Sequence, residues 1–574
     1  MCGLAGVISK NSFKEKKFKN IVKSMTKELH HRGPDSEGIY SNNKFCAGFR
    51  RLSILDVSSN ADQPFTDKEN NYILVFNGEI YNFLELKKKY LKNYNLKSHS
   101  DTEILFHLLI KFGSKILDKI EGMYAFVFYD KRKDKLFFVR DHYGMKPLFY
   151  TIKDKKIFFS SEIKSFKKII NLQTNNSKLF ENMIWGNIAG EETLYRNIHE
   201  VKPGYFYEID KSLSIKKKKF FNLEKTLSNK NPNIQSVEKK LLDSVKKHLR
   251  SDVKLGVLLS GGMDSSILAM IIKKINKGKK IYTFSTSIPN SPVDEGNNQY
   301  IVKNLVRSSH NKINFTCNTI LKNIKKCIYH YEAPLHHPNI IGIYDLCKIA
   351  RKNRVKVLIA GDGSDELFGG YRWSNFIGTK NSIFSHSTFD EKIIYKVFKI
   401  KKNKFSIREK ILKNNPEKFK FQRLYDQFFH LDKWLQRQDK MGMSNSIEIR
   451  VPFCDIGLVK LVNKFNQNKN NSKNFISKYI LKKISENYLP KNIIHQSKKG
   501  FTIPLDDYFR SKILKNFFKK TLMNKTFLKR KIYKHQNIKN LFEEHINFKK
   551  NYGKILWLIL NFELWQKTFI DKKV

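Results

Sequence analysis

The stretch that most constrains this chain is Val253-Lys254-Leu255-Gly256-Val257-Leu258-Leu259 followed by Ser260-Gly261-Gly262-Met263-Asp264-Ser265-Ser266. An apolar run with β-branched residues reads as a buried strand. Ile267-Leu268-Ala269-Met270-Ile271-Ile272 then reads as a helix, so the polar residues between form a tight turn at a helix N-terminus. Glycines there let the backbone approach an anion, and the helix end supplies unpaired N–H groups and partial positive charge. The hydroxyls of Ser260, Ser265 and Ser266 add donors. The stretch matches neither GxxxxGK[ST] nor GxGxxG, yet it suits a phosphate or pyrophosphate. Plain turn chemistry is the competing explanation for a Gly-Gly pair flanked by Ser and Asp.

Strand and helix patterns alternate on either side, as in a parallel sheet. Strands are expected at Lys280–Thr286, Lys312–Thr316 and Val355–Ala360, with helices around Gln299–Val306, Ile320–Tyr331 and Ile340–Lys352. The strand Val355–Ala360 runs into Gly361-Asp362-Gly363-Ser364-Asp365-Glu366-Leu367-Phe368-Gly369-Gly370-Tyr371. Open α/β sheets bind ligands beyond the carboxyl ends of their strands. Asp264 follows one such end and Asp365 another, and two carboxylates beside a phosphate site suit Mg²⁺. Alternatively, Asp362 and Asp365 only shape a Gly-rich turn.

The chain begins Met1-Cys2-Gly3-Leu4-Ala5-Gly6. A small second residue favours loss of the initiator Met, which gives Cys2 a free α-amine with a pKa of about 7.7–8.0, suited to a general base. The thiolate is then the nucleophile. A lone Cys2 would read more simply as a buried strand residue. Further stretches support the chemical reading. Arg51, ahead of Leu52-Ser53-Ile54-Leu55, can hold a carboxylate bidentately. Asn77 and Gly78, after a strand Tyr72–Phe76, offer a side-chain and a backbone N–H as an oxyanion hole. Ser100-Asp101-Thr102-Glu103 caps a helix Ile104–Phe112 and leaves Asp101 available to an ammonium.

Together with His31-Arg32-Gly33-Pro34-Asp35 and Glu79-Ile80-Tyr81-Asn82, these motifs resemble class II glutamine amidotransferases. The Ser260–Ser266 loop resembles the pyrophosphate loop of ATP pyrophosphatases. The whole, from residue 2 to about residue 565, resembles the glutamine-hydrolysing asparagine synthetases. That resemblance implies an N-terminal-nucleophile hydrolase αββα sandwich over residues 2–215, which the β-rich runs through Gly122–Tyr129, Lys135–Arg140 and Lys156–Ser160 fit. A linker over 216–235 and an α/β ATP pyrophosphatase domain with a parallel sheet and helical additions over 236–574 follow.

The resemblance also assigns roles. Cys2 attacks the glutamine carboxamide, and Asn77 and Gly78 hold the oxyanion. Arg51, Leu52, Ser53, Ile54, Leu55, Glu79 and Asp101 bind glutamine, with Arg51 on its carboxylate and Glu79 and Asp101 on its amine side. Leu258, Ser260, Gly261, Gly262, Asp264, Ser265, Thr286, Ala360 and Gly361 bind ATP. Asp264 and Asp365 hold Mg²⁺, Asp362 works beside the activated carboxylate, and Lys498 in Gln496-Ser497-Lys498-Lys499-Gly500 is the essential lysine. Ammonia passes through the protein between the two sites.

Composition bounds the remainder. A 574-residue chain that is 40% hydrophobic is globular, with room for two to four domains. The net charge of +56 comes mostly from dispersed lysines, and the short runs Lys87–Lys89 and Lys216–Lys219 carry no nucleic-acid-binding motif. No nucleic-acid partner is expected; attraction of anionic ATP is the use such charge could have. None of the six cysteines forms a CxxC pair, so no metal spacing is present, and so few in a long chain fit a reducing compartment. No signal peptide or membrane span is expected, so the cytoplasm is the expected location. Residues 372–429 are Lys-rich and helical in pattern, and Ile555–Leu564 with Trp565 reads as a core helix.

The expected partners are glutamine, ATP and a carboxylate acceptor, with aspartate giving asparagine, AMP and pyrophosphate. A homodimer is compatible with the sequence, which does not fix the oligomeric state. One alternative keeps the chemistry and amidates a sugar uronate for a surface polysaccharide. Another, from a different class, is a basic nucleic-acid-binding protein on an inactive scaffold; intact Cys2, Asp264 and Asp365 argue against it. Asp362 stands where many asparagine synthetases, by this resemblance, carry Glu.

Overall fold

The computed structural model describes residues 2–228, 232–276, 278–289, 291–371, 388–401, 422–465, 477–496 and 502–571. Lys498, and most of the Lys-rich segment 372–429, lie outside the described residues.

The N-terminal unit carries β1 (Cys2–Ser9), β2 (Ser36–Ser41), β3 (Phe45–Arg51), β4 (Phe65–Thr66), β5 (Tyr72–Ile80), β6 (Gly122–Asp130), β7 (Lys135–Arg140), β8 (Phe149–Lys153), β9 (Lys156–Ser160), β10 (His199–Glu200), β11 (Tyr205–Ile209) and β12 (Ile215–Lys219). They form two antiparallel sheets, ordered β10-β8-β9-β1-β3-β2 and β12-β11-β7-β6-β5-β4. Between the sheets lies a core that includes Leu4, Phe45, Phe49, Val75, Val127 and Phe138. The helix Glu15–Lys27 packs on the outer face of the first sheet, and Asp101–Phe112 on that of the second. This is the αββα sandwich. β1 is buried end to end because it is paired on both sides and covered on both faces. A Cβ on Gly6 would meet the Phe159 ring at 2.3 Å, so only glycine lets the strand and that ring pack so closely.

Two local expectations change. β5 runs through to Ile80, so Asn77 and Gly78 sit inside a strand opposite Ala125 and Tyr124 and not in a turn after it. The linker expected at 216–235 is structured at both ends. Residues 216–219 complete β12 at the sheet edge, and the helix Ile234–His248 starts before residue 236. Lys216–Lys219 lacks apolar alternation because it is an edge strand facing water, where lysines discourage further pairing.

The C-terminal unit is built on β13 (Leu255–Leu258), β14 (Tyr282–Ser287), β15 (Ser309–Asn314), β16 (Val357–Ile359) and β17 (Glu448–Arg450), all parallel, in the order β15-β14-β13-β16-β17. The helices Met263–Ile275, Gly296–Val306, Cys317–Tyr331 and Asn339–Lys352 lie along the connections. The chain order reverses between β13 and β16. That switch point opens a crevice at the carboxyl ends of two neighbouring strands, where ligands bind in such sheets. Ser260-Gly261-Gly262 leaves one of those ends and Ala360-Gly361-Asp362 the other. The closing helix Gly553–Phe569 buries Trp557 and Trp565 completely, as the apolar run at 555–565 predicts. Among the described residues no helix is long and apolar enough to cross a membrane.

Candidate functional site

The first centre is built at the head of β1. Register pairs Cys2 with Arg51 on β3, while β5 delivers Asn77 from the facing sheet. The Cys2 backbone nitrogen donates to Asn77 Oδ1 at 3.0 Å. This bond fixes the amide orientation. Among the described residues it leaves Asn77 Nδ2 fully buried and without a partner. Buried polar groups rarely stay unpaired, so such an orphan donor marks a place for an oxygen that arrives with a ligand. Gly78 beside it has no room for a side chain, since a Cβ would meet Met123 O at 2.1 Å. Burial pushes the Cys2 thiol up; the Leu52 backbone and the Arg51 charge act in the opposite direction.

Arg51 is committed to its own loop. Nη1 donates to Ser58 O at 2.6 Å and to Asp62 Oδ1 at 2.8 Å, while Nη2 reaches Leu55 O at 3.4 Å and also pairs with Asp56 O. Leu52 and Ile54 are buried. The Ser53 backbone N–H donates to Asp35 Oδ2 at 2.9 Å. Asp101 accepts from the Ile80 backbone N–H at 2.7 Å, and burial pushes its carboxyl up to about 6. Glu79 is pushed well above the carboxylate range, first by burial and then by the charge of Glu448.

Glu448 and Arg450 belong to β17 of the other unit, and sequence reasoning missed both. Arg450 Nη2 lies 3.4 Å from Glu79 Oε1, and its Nε pairs with Glu448. The available signal was the alternation Glu448-Ile449-Arg450, which puts both charges on one face of a strand too short to show periodicity.

The second centre is a cavity of about 1070 Å³ at the switch point of the parallel sheet. Leu258, Ser260, Gly262, Asp264, Ser265, Thr286, Ala360, Gly361, Asp362 and Asp365 all line it, so the stretches expected around ATP and metal are brought together. Gly261 does not line the wall. It turns the loop with φ +93, against Glu295 O, and its carbonyl accepts from Gln496 Nε2 at 3.0 Å. Gly361 is tight against the helix start, with a Cβ position 3.2 Å from Ser265 N.

Asp264 and Asp365 converge on one cation. Lys478 Nζ stands 2.5 Å from Asp264 Oδ2 and 2.7 Å from Asp365 Oδ1. Burial works against its charge, and the two carboxylates more than offset that. Nothing in the sequence marks Lys478 among 109 lysines and arginines. Two acidic oxygens around one positive charge are what a divalent cation needs from the protein when phosphates and water complete its shell. Among the described residues no group of three or more His, Cys, Asp or Glu is placed to hold a metal alone. Asp362 points at a different partner: Oδ1 accepts from Arg437 Nη2 at 2.7 Å and Oδ2 from Gln438 Nε2 at 2.5 Å.

Residues 1–221 match the glutamine amidotransferase domain model, and residues 236–567 match the asparagine synthase model. The chain belongs to the asparagine synthase family. It is 27% identical to asparagine synthetase [glutamine-hydrolyzing] 1 of Bacillus subtilis, over 100% of this chain and 98% of that one. Identity to asparagine synthetase B [glutamine-hydrolyzing] of Escherichia coli is 28%, covering 88% of this chain and 82% of the relative. A putative asparagine synthetase [glutamine-hydrolyzing] 2 of Methanocaldococcus jannaschii is 33% identical over 65% of this chain and 76% of its own length. Family membership therefore covers both centres. The asparagine synthase family uses ATP, which fits a cavity between a Ser-Gly-Gly loop and a Gly-Asp-Gly loop.

Proposed function

We propose that this chain forms asparagine from aspartate, taking nitrogen from glutamine and energy from ATP, with release of AMP and pyrophosphate. The supporting observation is the orphan donor of Asn77, 75 positions from Cys2 in sequence yet bonded to it through Oδ1.

Loss of Met1 gives Cys2 its α-amine. That amine takes the thiol proton, and Sγ attacks the glutamine carboxamide. The amine returns the proton as the C–N bond breaks and ammonia leaves, and water then cleaves the thioester to glutamate. The developing oxyanion takes the free Asn77 Nδ2–H and the Gly78 N–H; a donor so placed is worth about 3–4 kcal/mol of transition-state stabilisation. Arg51 exchanges its loop carbonyls for the glutamine carboxylate. Asp101 and Glu79, both made costly to ionise by burial, gain an ammonium partner when glutamine binds, which favours their charged forms.

In the second cavity Ser260, Gly262 and Ser265 receive the ATP phosphates at the N-terminus of Met263–Ile275. Leu258, Thr286, Ala360 and Gly361 contact the adenosine. Asp264 and Asp365 would hold Mg²⁺ in place of the Lys478 ammonium, and the ion would offset phosphate charge. Asp362 stands beside the activated carboxylate. The acceptor carboxylate attacks the α-phosphate of ATP and expels pyrophosphate. Ammonia from the first centre, arriving through the interface, then attacks the acyl carbon, loses a proton and displaces AMP. Pyrophosphate release from MgATP and ammonium, with candidate carboxylates supplied one at a time, tests the acceptor. Turnover with a uronic acid and none with aspartate refutes the aspartate assignment.

A further inference from the structure

A buried ladder of charges runs from the nucleophile across the interface to Lys440, which follows Arg437 and Gln438 of the cavity wall. Fully buried Arg32 donates from Nε to the Cys2 carbonyl at 3.0 Å and from Nη1 to Glu162 at 2.9 Å. Glu162 also pairs with Lys164 Nζ. Lys164 then meets Glu332 of the other unit: Nζ lies 3.7 Å from Glu332 Oε1, and the Lys164 backbone N–H donates to that oxygen at 2.7 Å. Lys440 Nζ ends the ladder, 3.3 Å from Glu332 Oε2. The signs alternate along it, and the side chains of Glu162, Lys164 and Glu332 are wholly out of solvent.

Glu332 is also the origin of a loop. It ends the helix Cys317–Tyr331 in the left-handed region, with φ +63. Its carbonyl accepts from Tyr195 Oη at 2.6 Å and from Trp565 Nε1 at 3.2 Å. His336, His337 and Asn339, a few residues on, line the cavity on the side of Asp362 and Arg437, where Arg437 Nη1 donates to Asn339 Oδ1 at 3.3 Å. The loop touches the glutaminase unit a second time, with His336 Nε2 3.1 Å from Asn182 Oδ1.

We propose that Lys164 and Glu332 are positioning residues that couple occupancy of the acceptor end of the cavity to the reactivity of Cys2. This rests on the two-centre function proposed above. A buried charge that loses its partner is left uncompensated, so Lys164 and Glu332 move together, while Arg32 keeps Asp439, 3.0 Å from Nη1, as a second partner. Displacement of the 332–339 loop by an acceptor moves Glu332 and repartitions Lys164 between Glu332 and Glu162. The hold of Glu162 on Arg32 then changes, and Arg32 fixes the Cys2 carbonyl. Any part of the coupling that changes glutamine affinity is reciprocal, so bound glutamine changes acceptor affinity by that same factor; the change in Cys2 reactivity carries no such reciprocity.

The test uses the full chain carrying Lys164→Met, Glu332→Gln or both. Three quantities are read: amide formed per glutamine hydrolysed, stimulation of glutaminase by MgATP plus acceptor, and ammonium-dependent synthesis. Each single variant is expected to lower the amide-to-glutamine ratio about fivefold or more, the lower end of allosteric coupling. Ammonium-dependent kcat stays within about twofold of wild type, since no interaction made to the reacting atoms is removed. The double variant is no worse than either single one, as for partners in one pair. Lys164→Arg restores the ratio. A wild-type ratio in both single variants overturns the proposal, and so does a parallel fall in ammonium-dependent synthesis. If Lys164→Met does not fold, the nearly isosteric Glu332→Gln decides. A failure of the two-centre reading looks different: wild-type protein itself then lacks glutaminase activity or ammonium-dependent pyrophosphate release.

Discussion

Arg450, on the last strand of the synthetase sheet, places its guanidinium 3.4 Å from the Glu79 carboxylate in the glutaminase sandwich. Neither unit completes this charge cluster alone. Arg450 tempers a cluster in which Glu79, Asp101 and Glu448 are all buried. Of these, Glu79 and Asp101 are costly to ionise, while Glu448, against burial, is held below the usual carboxylate range chiefly by Arg450.

A pH-dependent stability follows from Asp101. Its folded pKa, about 6, lies above the ordinary 3.8. The native state therefore binds the proton more tightly, and this group's contribution is intact below about pH 4 and lost as pH rises through about 6. Asp101→Asn removes the ionisation. The variant should match wild type in unfolding free energy near pH 4 and exceed it above pH 7, by up to about 3 kcal/mol for a pKa raised from 3.8 to about 6. Its glutaminase KM should rise. Unfolding scans at the two pH values check the sign; a variant less stable than wild type at pH 7.5 contradicts the burial argument.

Cys2→Ala separates the nitrogen sources. The thiol serves only glutamine hydrolysis in the proposed scheme, and the ATP cavity is built on another sheet. Glutamine-dependent synthesis should fall to background while synthesis from added ammonium stays near wild type. Full glutamine-dependent activity in the purified variant would remove Cys2 from the nucleophile's role.

Asp264→Asn and Asp365→Asn should stop synthesis from both nitrogen sources and spare basal glutaminase. Each loses one of the two negative charges that surround Lys478. Lys478 keeps the other carboxylate in each variant, so its charge stays compensated and the loss is of synthesis rather than of folding. Lys478→Met separates the two roles. If the lysine only stands in for the metal, the variant keeps Mg²⁺-dependent pyrophosphate release; if it also contacts phosphate, release falls with a raised KM for ATP.

The parts legible in the sequence were those with local chemistry. Ser260–Ser266 and Gly361–Tyr371 declare a turn at a strand end, and parallel topology brings them side by side. Asn77 could be named but not placed, because Phe76-Asn77-Gly78 looks like a turn while pairing with β6 keeps it extended. Lys478 and Arg450 could not be found at all. Their roles come from partners more than 100 positions away, and charge alone marks nothing in a chain with a net charge of +56.

The acceptor prediction turns on Asp362. Its side chain is one methylene shorter than that of Glu, about 1.5 Å less reach. A general base needs contact at about 2.6–3.2 Å, so a shorter carboxylate works only if its surroundings hold it in place. Arg437 at 2.7 Å and Gln438 at 2.5 Å do hold it, one on each oxygen. Asp362→Asn removes the charge opposite Arg437 and puts an N–H₂ in place of one acceptor oxygen. ATP binding should persist, because Asp264 and Asp365 are untouched, while amide formation falls about 10²-fold or more, as for loss of a group acting on the reacting atoms. Asp362→Glu should keep activity only if Arg437 and Gln438 can retreat by about one bond length. Pyrophosphate release from MgATP and ammonium is the deciding measurement. Wild-type protein should release it with aspartate, and Asp362→Asn should not. Release by the variant at wild-type rate would leave Asp362 a partner of Arg437 and nothing more.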